Sequence, residues 1–110
     1  MLLDSMLIIK DNDIVYRLGR NAKENFELID DADPEDWWFH LSDHPSGHCI
    51  IDSNTIDKSM IIFAGNLVKQ YSKQKDMKNI KIIYTQIKNI TKTKTLGQVL
   101  VKKYEGEIVL

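Results

Sequence analysis

Residues 36–48, Asp-Trp-Trp-Phe-His-Leu-Ser-Asp-His-Pro-Ser-Gly-His, hold both tryptophans and all three histidines of the chain, beside two aspartates and a Pro-Ser-Gly turn. Aromatic faces stack on bases, while His and Asp hydrogen-bond to base edges, phosphates, metals or reacting protons. A random draw seldom places every Trp and His in one such window, so the segment is the first candidate site. Within it Asp36, Trp38, Phe39, His40, Ser46 and His48 carry the groups that recognition would use.

Catalytic and metal chemistries compete with recognition there. Zinc would recruit His40, Asp43, His44, His48 and Cys49, since imidazole and thiolate are its ligands. The histidine spacing of four and four aligns only on a helix, which Pro45 and Gly47 oppose, and no Cys-x-x-Cys or His-Glu-x-x-His pattern occurs. No metal or other cofactor is expected. A Cys49 nucleophile with a neighbouring His base fails because adjacent strand residues face apart and no third group orients them. Acid–base work by Asp36, His40 and His48, as in a nucleic-acid-processing enzyme, is the catalytic alternative.

The elements that must position these residues follow from periodicity. Met6–Lys10 and Ile14–Leu18 read as a hairpin around an Asx-type turn at Asp11-Asn12-Asp13. Asn21 caps a first helix running to Asp31, with Ala22, Phe26 and Ile29 on one stripe. Trp37–Leu41 and His48–Asp52 are strands around the Asp43–Gly47 loop. A second helix spans about Asn54–Lys73, with Met60, Phe63, Ala64, Leu67, Val68 and Tyr71 as its buried stripe. Ile80–Thr85, Val99–Val101 and Ile108–Leu110 complete a β-β-α-β-β-α-β-β-β order. The expected fold is α+β: a single mixed, mostly antiparallel sheet packed with two main helices. On strand geometry Trp37 and Trp38 point to opposite faces; either stacks a base if exposed, and both pack beneath the helices otherwise. Asp36 and His40 share the face of Trp38, which permits them to pair.

The 110 residues suit one domain that buries about two-thirds of its unfolded surface without cross-links. Cys49 is the chain's one cysteine, which suits a reducing compartment, with the cytoplasm as the default. The Met1–Ile9 segment lacks a basic leader, and no apolar run approaches the roughly 18 residues of a membrane span, so a soluble chain is expected. Net charge is −1, yet Met1–Asp57 carries 4 Lys/Arg against 13 Asp/Glu while Lys58–Leu110 carries 11 against 3. A basic half presents a positive face only if the acidic half folds away from it. Arg20, Asn21 and Lys23 stand at the start of the first helix, where backbone N–H groups and the dipole favour a phosphate. Lys88, Lys92 and Lys94 alternate with Thr91, Thr93 and Thr95 and suit contacts along a phosphate backbone. The competing reading of all of them is solvated surface charge.

Gly19-Arg-Asn-Ala-Lys-Glu-Asn, Pro34-Glu-Asp-Trp-Trp-Phe-His, Ser46-Gly-His48, Ile82-Ile-Tyr-Thr85, Asn89-Ile-Thr-Lys92 and Gly97-Gln-Val99 occur in the order seen in the NFACT-R domain, and the chain resembles that family over nearly its whole length. It looks closest to the short branch that includes a coiled-coil-domain protein implicated in DNA binding, through Lys23-Glu-Asn with Leu28-Ile29, Pro34-Glu-Asp36, Leu67-Val-Lys69 and Ile83-Tyr-Thr85. The family often has Pro-Gly-Ser-His where Pro45-Ser46-Gly47-His48 stands here, and an acid at the place of Phe26. The resemblance implies an RNA-binding module of ribosome quality control, whose relatives hold tRNA on a stalled large ribosomal subunit. The expectation is therefore a non-enzymatic module binding tRNA or ribosomal RNA, with DNA as a further partner and no membrane. A protein-interaction adaptor on ribosomal complexes is the alternative from another class.

Overall fold

A computed structural model describes residues 6–110. The first half of the leader reading, at residues 1–5, lies outside the described residues. The elements are β1 (Leu7–Asp11), β2 (Ile14–Leu18), α1 (Ala22–Asp31), β3 (Trp37–Leu41), β4 (Cys49–Ile51), α2 (Lys58–Gln70), β5 (Lys81–Gln86), a 3-10 turn at Ile87–Asn89, β6 (Ile90–Lys92), β7 (Val99–Val101) and β8 (Gly106–Val109). A six-stranded sheet runs β1-β2-β4-β3-β5-β8, and β6 and β7 form a separate two-stranded ribbon. Every pairing is antiparallel. The α+β class with two helices is as expected; the ribbon is an addition, built from the basic run and Val99–Val101.

Alternation along the strands sorts side chains into two layers. Tyr16, Leu18, Phe39, Leu41, Cys49, Ile51 and Ile82 face α2, whose Ala64 and Val68 are fully buried against them. Trp38, Ile50 and Ile87 face the other way, toward Leu28 and Ile29 of α1, with Ile90, Val99 and Val101 of the ribbon at their side. The sheet is thus sandwiched between α2 and the α1–ribbon layer. Each fully buried large side chain contributes on the order of 1.5–3 kcal/mol.

Local chemistry sets the boundaries. The β1–β2 hairpin turns on Asn12 and Asp13, both at positive φ (50° and 66°). This is the primed two-residue turn whose twist matches its strands, in place of the Asx-type turn read from the sequence. Asn21 caps α1 by accepting from the Glu24 N–H at 2.9 Å. The second helix is shorter than the expected span of about Asn54–Lys73: it starts at Lys58, where the Asp57 side chain caps it through the Met60 N–H, and ends at Gln70. Tyr71 falls just past its end and is exposed, rather than completing the buried stripe.

Candidate nucleic-acid interface

The site begins with a knot where β2 leaves the sheet. The Gly19 N–H donates to the His48 carbonyl at 2.9 Å, and the His48 N–H donates to Asn25 Oδ1 at 3.0 Å. A Cβ at Gly19 would lie 2.1 Å from Asn25 Oδ1, and one at Gly47 would lie 2.0 Å from the Gly19 carbonyl oxygen. Both positions therefore need glycine for close approach. Ser46 Oγ accepts from the Leu41 N–H at 3.2 Å and donates to the Gly47 carbonyl, which closes the β3–β4 loop. The sequence-spaced Gly19, Asn25, Ser46, Gly47 and His48 are thus one structural clasp.

The clasp holds three rings together. Trp38 stacks on His40 with centroids 5.6 Å apart and planes 8° apart, and His48 meets both edge-on at 5.3 and 5.2 Å. Trp38 and His48 are each 2% exposed, whereas His40 is part-exposed. Burial pushes the His48 imidazole down to about 3, with neighbouring His40 adding to the effect, and burial also lowers His40. Both rings are neutral at physiological pH. His40 Nδ1 lies against the Leu41 carbonyl, which can only accept, so Nδ1 carries the proton and Nε2 is an acceptor. Trp38 Nε1 and His48 Nδ1 are buried with no partner among the described residues.

Beside the knot, the start of α1 is already occupied. Glu24 is buried, takes the Arg20 N–H at 2.9 Å and pairs with the Arg20 guanidinium at 3.4 Å. Desolvation pushes its carboxyl up, but the Arg20 hydrogen bonds and charge outweigh that, and the net shift is downward. Part of the positive end of α1 is therefore neutralised from within the chain. Lys23 is exposed on the same first turn.

The turn at residues 93–98 supplies the remaining wall. Gly97 has φ +84°, and a Cβ there would meet Ala22 Cβ at 2.6 Å, so this turn packs directly on the first residue of α1; Lys94 within it is exposed. A cavity of about 400 Å³ opens here between Arg20, Asn21, Ser46, Tyr71, Lys73 and Gln98. A second, of about 300 Å³, lies over Trp38, His40, His48 and Tyr104. Gly97 and Gln98 line both, so the two adjoin along this turn as neighbouring lobes of one surface groove. Tyr71, Lys73, Gln98 and Tyr104 were missed by sequence reasoning; Gly97-Gln-Val99 was the one motif that touched them.

Other expected residues lie elsewhere. Phe39 is fully buried against α2 and stacked on Tyr84 at 5.2 Å, so it cannot reach a base; its place on β3 gives it to the opposite face from Trp38. Asp36 accepts from the Asp33 N–H and lines a different cavity with Arg17 and Asp52; it does not pair with His40. Burial raises the Asp36 carboxyl, and Asp52 and Asp33 add to that. The acid–base trio that the sequence admitted is not assembled. Lys88 pairs with Glu35 at 3.2 Å, and Lys92 pairs with Asp30 while lying 5.3 Å from the Phe26 ring centroid. The basic half does not stand apart from the acidic half here but folds onto it. Among the described residues, no group of three or more His, Cys, Asp or Glu gathers to hold a metal, and no helix is long and apolar enough to cross a membrane.

The NFACT protein RNA binding domain family matches residues 6–106. The chain belongs to this family. It is 32% identical over 76 residues to the Rqc2 homolog RqcH of Bacillus subtilis and 39% identical over 83 residues to coiled-coil domain-containing protein 25 of Danio rerio. Those alignments cover 68% and 69% of this chain but 13% and 40% of the relatives. In fold, this NFACT RNA-binding domain superposes with a TM-score of 0.89 on the C-terminal part of the fibronectin/fibrinogen-binding protein from Streptococcus suis, at 20% identity, covering 100% of this chain and 46% of that one. Asn89 and Thr85 have structural work here: Asn89 Nδ2 donates to Thr85 Oγ1, which donates to the Lys103 carbonyl and ties the chain after β7 to the sheet.

Proposed function

We propose that this domain is a non-catalytic RNA-binding module that holds tRNA or ribosomal RNA on the large ribosomal subunit during ribosome quality control. The observation that carries the reading is the groove joining the cationic Arg20–Lys73 end to the uncharged Trp38–His40–His48 end, in a chain matched by an RNA-binding family over residues 6–106. Phosphates meet Arg20, Lys73 and the flanking Lys23 and Lys94, and these contacts position the strand without reading sequence. Asn21 and Ser46 border that end, while His40, His48 and Trp38 build the other. Membership together with the likeness to RqcH supports the quality-control setting, and the cytoplasm is where such a module would meet ribosomes.

Fluorescence-anisotropy titration with tRNA, single-stranded RNA and duplex DNA at two salt concentrations tests the reading. Salt-dependent binding with RNA preferred is the expected result. Equal or stronger binding to duplex DNA would point to the DNA-binding alternative. No binding to any of the three, with ribosomal subunits still captured after nuclease treatment, would replace the reading with a protein adaptor.

A further inference from the structure

We propose that the 300 Å³ cavity over His40 receives a single nucleobase displaced from its stack, so that the groove selects unpaired RNA over duplex. This rests on the reading that the domain binds RNA, and adds which form of RNA it takes.

The lining chemistry points to an uncharged, planar, hydrogen-bonding occupant. No Asp, Glu, Lys or Arg borders the cavity, so it offers nothing to a phosphate or a charged side chain. Its walls pair aromatic and apolar surface from His40, Tyr104, Ile83 and Val99 with polar groups from Ser42 and Gln98. That mixture suits a base, which brings a π-face and a polar edge. The Trp38–His40 stack presents its imidazole member outward, since Trp38 is sealed and His40 is not. With Nδ1 committed to the Leu41 carbonyl, His40 Nε2 has no partner among the described residues and calls for a donor such as an exocyclic amine or ring N–H. Gln98 is exposed at the junction with the larger cavity, and its amide supplies both donor and acceptor. A base within a duplex has its faces stacked and its pairing edge used, so it enters such a recess only after being turned out. The neighbouring Arg20 and Lys73 then meet the phosphates on one side of the inserted nucleotide.

The test compares a single-stranded RNA, carrying 2-aminopurine at one position in turn, with a perfect RNA duplex of the same length. The expected result is tighter binding of the single strand by roughly tenfold or more, the scale of one stacked base, and a changed 2-aminopurine emission at one position. Gln98→Ala, Tyr104→Ala and His40→Phe should each shrink that preference by lowering single-strand affinity more than duplex affinity; His40→Gln, which restores an acceptor, should recover part of what His40→Phe loses. Gln98 and Tyr104 are exposed, so those variants keep the fold. Equal affinity for the two forms in the wild-type chain, or variants that lower both alike, would overturn the proposal while leaving RNA binding intact. Absence of binding to either form would sink the RNA reading and the base pocket with it.

Discussion

The two faces of the central sheet are built from alternate residues of the same strands and have opposite characters. Toward α2, Phe39, Leu41, Cys49, Ile51 and Ile82 close a core that excludes water completely, and burial pushes the Cys49 thiol far up. Toward α1, the next residues along, Trp38, His40 and His48, meet a groove, and two of their polar atoms are buried unpaired. Buried unsatisfied groups cost on the order of 1–3 kcal/mol each, so the second face gives up stability that the first supplies. The difference teaches that one alternating strand can serve packing with its odd positions and recognition with its even ones.

The largest expected effect breaks the first face. Phe39→Ala should lower stability by about 3–5 kcal/mol, read by urea unfolding, because its side chain is fully enclosed. The gentler Phe39→Leu should fold and bind RNA as the parent does. A Phe39→Leu variant that keeps its stability but loses RNA affinity would return Phe39 to the binding face.

Acid tests the second face. A His48 held near 3 in the folded chain regains an ordinary pKa of about 6.5 when unfolded, so below that pH the unfolded chain takes up the proton and the folded chain does not. The stability is complete above about pH 6.5 and declines as pH falls toward 3, by roughly 2 kcal/mol between pH 7.5 and 5. His40 acts in the same direction. Urea unfolding at those two pH values measures the loss, and His48→Phe should flatten it. Identical wild-type stability at both would mean that the ring is not buried neutral.

How far the sequence foretold these faces depended on the range of the interaction concerned. Asn21 as a cap, the strand at Trp37–Leu41 and the opposed tryptophans rest on neighbours within a few residues, and all were legible. So was the gathering of His40 and His48, since one hairpin loop joins them. Tyr104 was not, because a loop residue has no periodicity to announce which way it faces; Tyr71 was put on the buried stripe by a periodicity that stops at Gln70, one residue before it. Nor was the fate of the lysines: charge runs are visible in a sequence, but that Lys92 of the ribbon lies against Asp30 of α1, and Lys88 of the 3-10 turn against Glu35 in the loop after α1, depends on how segments distant in sequence fold together.

That distinction among cations gives the two smaller effects. Lys73→Ala should weaken RNA binding severalfold near 0.1 M salt and reduce the magnitude of its salt slope by about 1, in anisotropy titrations, while Arg20→Ala, whose guanidinium is shared with the buried Glu24, should do less. Lys88 and Lys92 are spent on exposed ion pairs worth about 0–1 kcal/mol, so Lys88→Ala and Lys92→Ala should leave both affinity and stability nearly unchanged. Removing their partners sharpens the contrast: Glu35→Gln with Asp30→Asn frees two surface cations, and should steepen the salt slope without altering any preference for one RNA over another. If Lys92→Ala instead costs as much affinity as Lys73→Ala, the ion pairs open on binding, and the RNA path runs along β6 as well as through the groove.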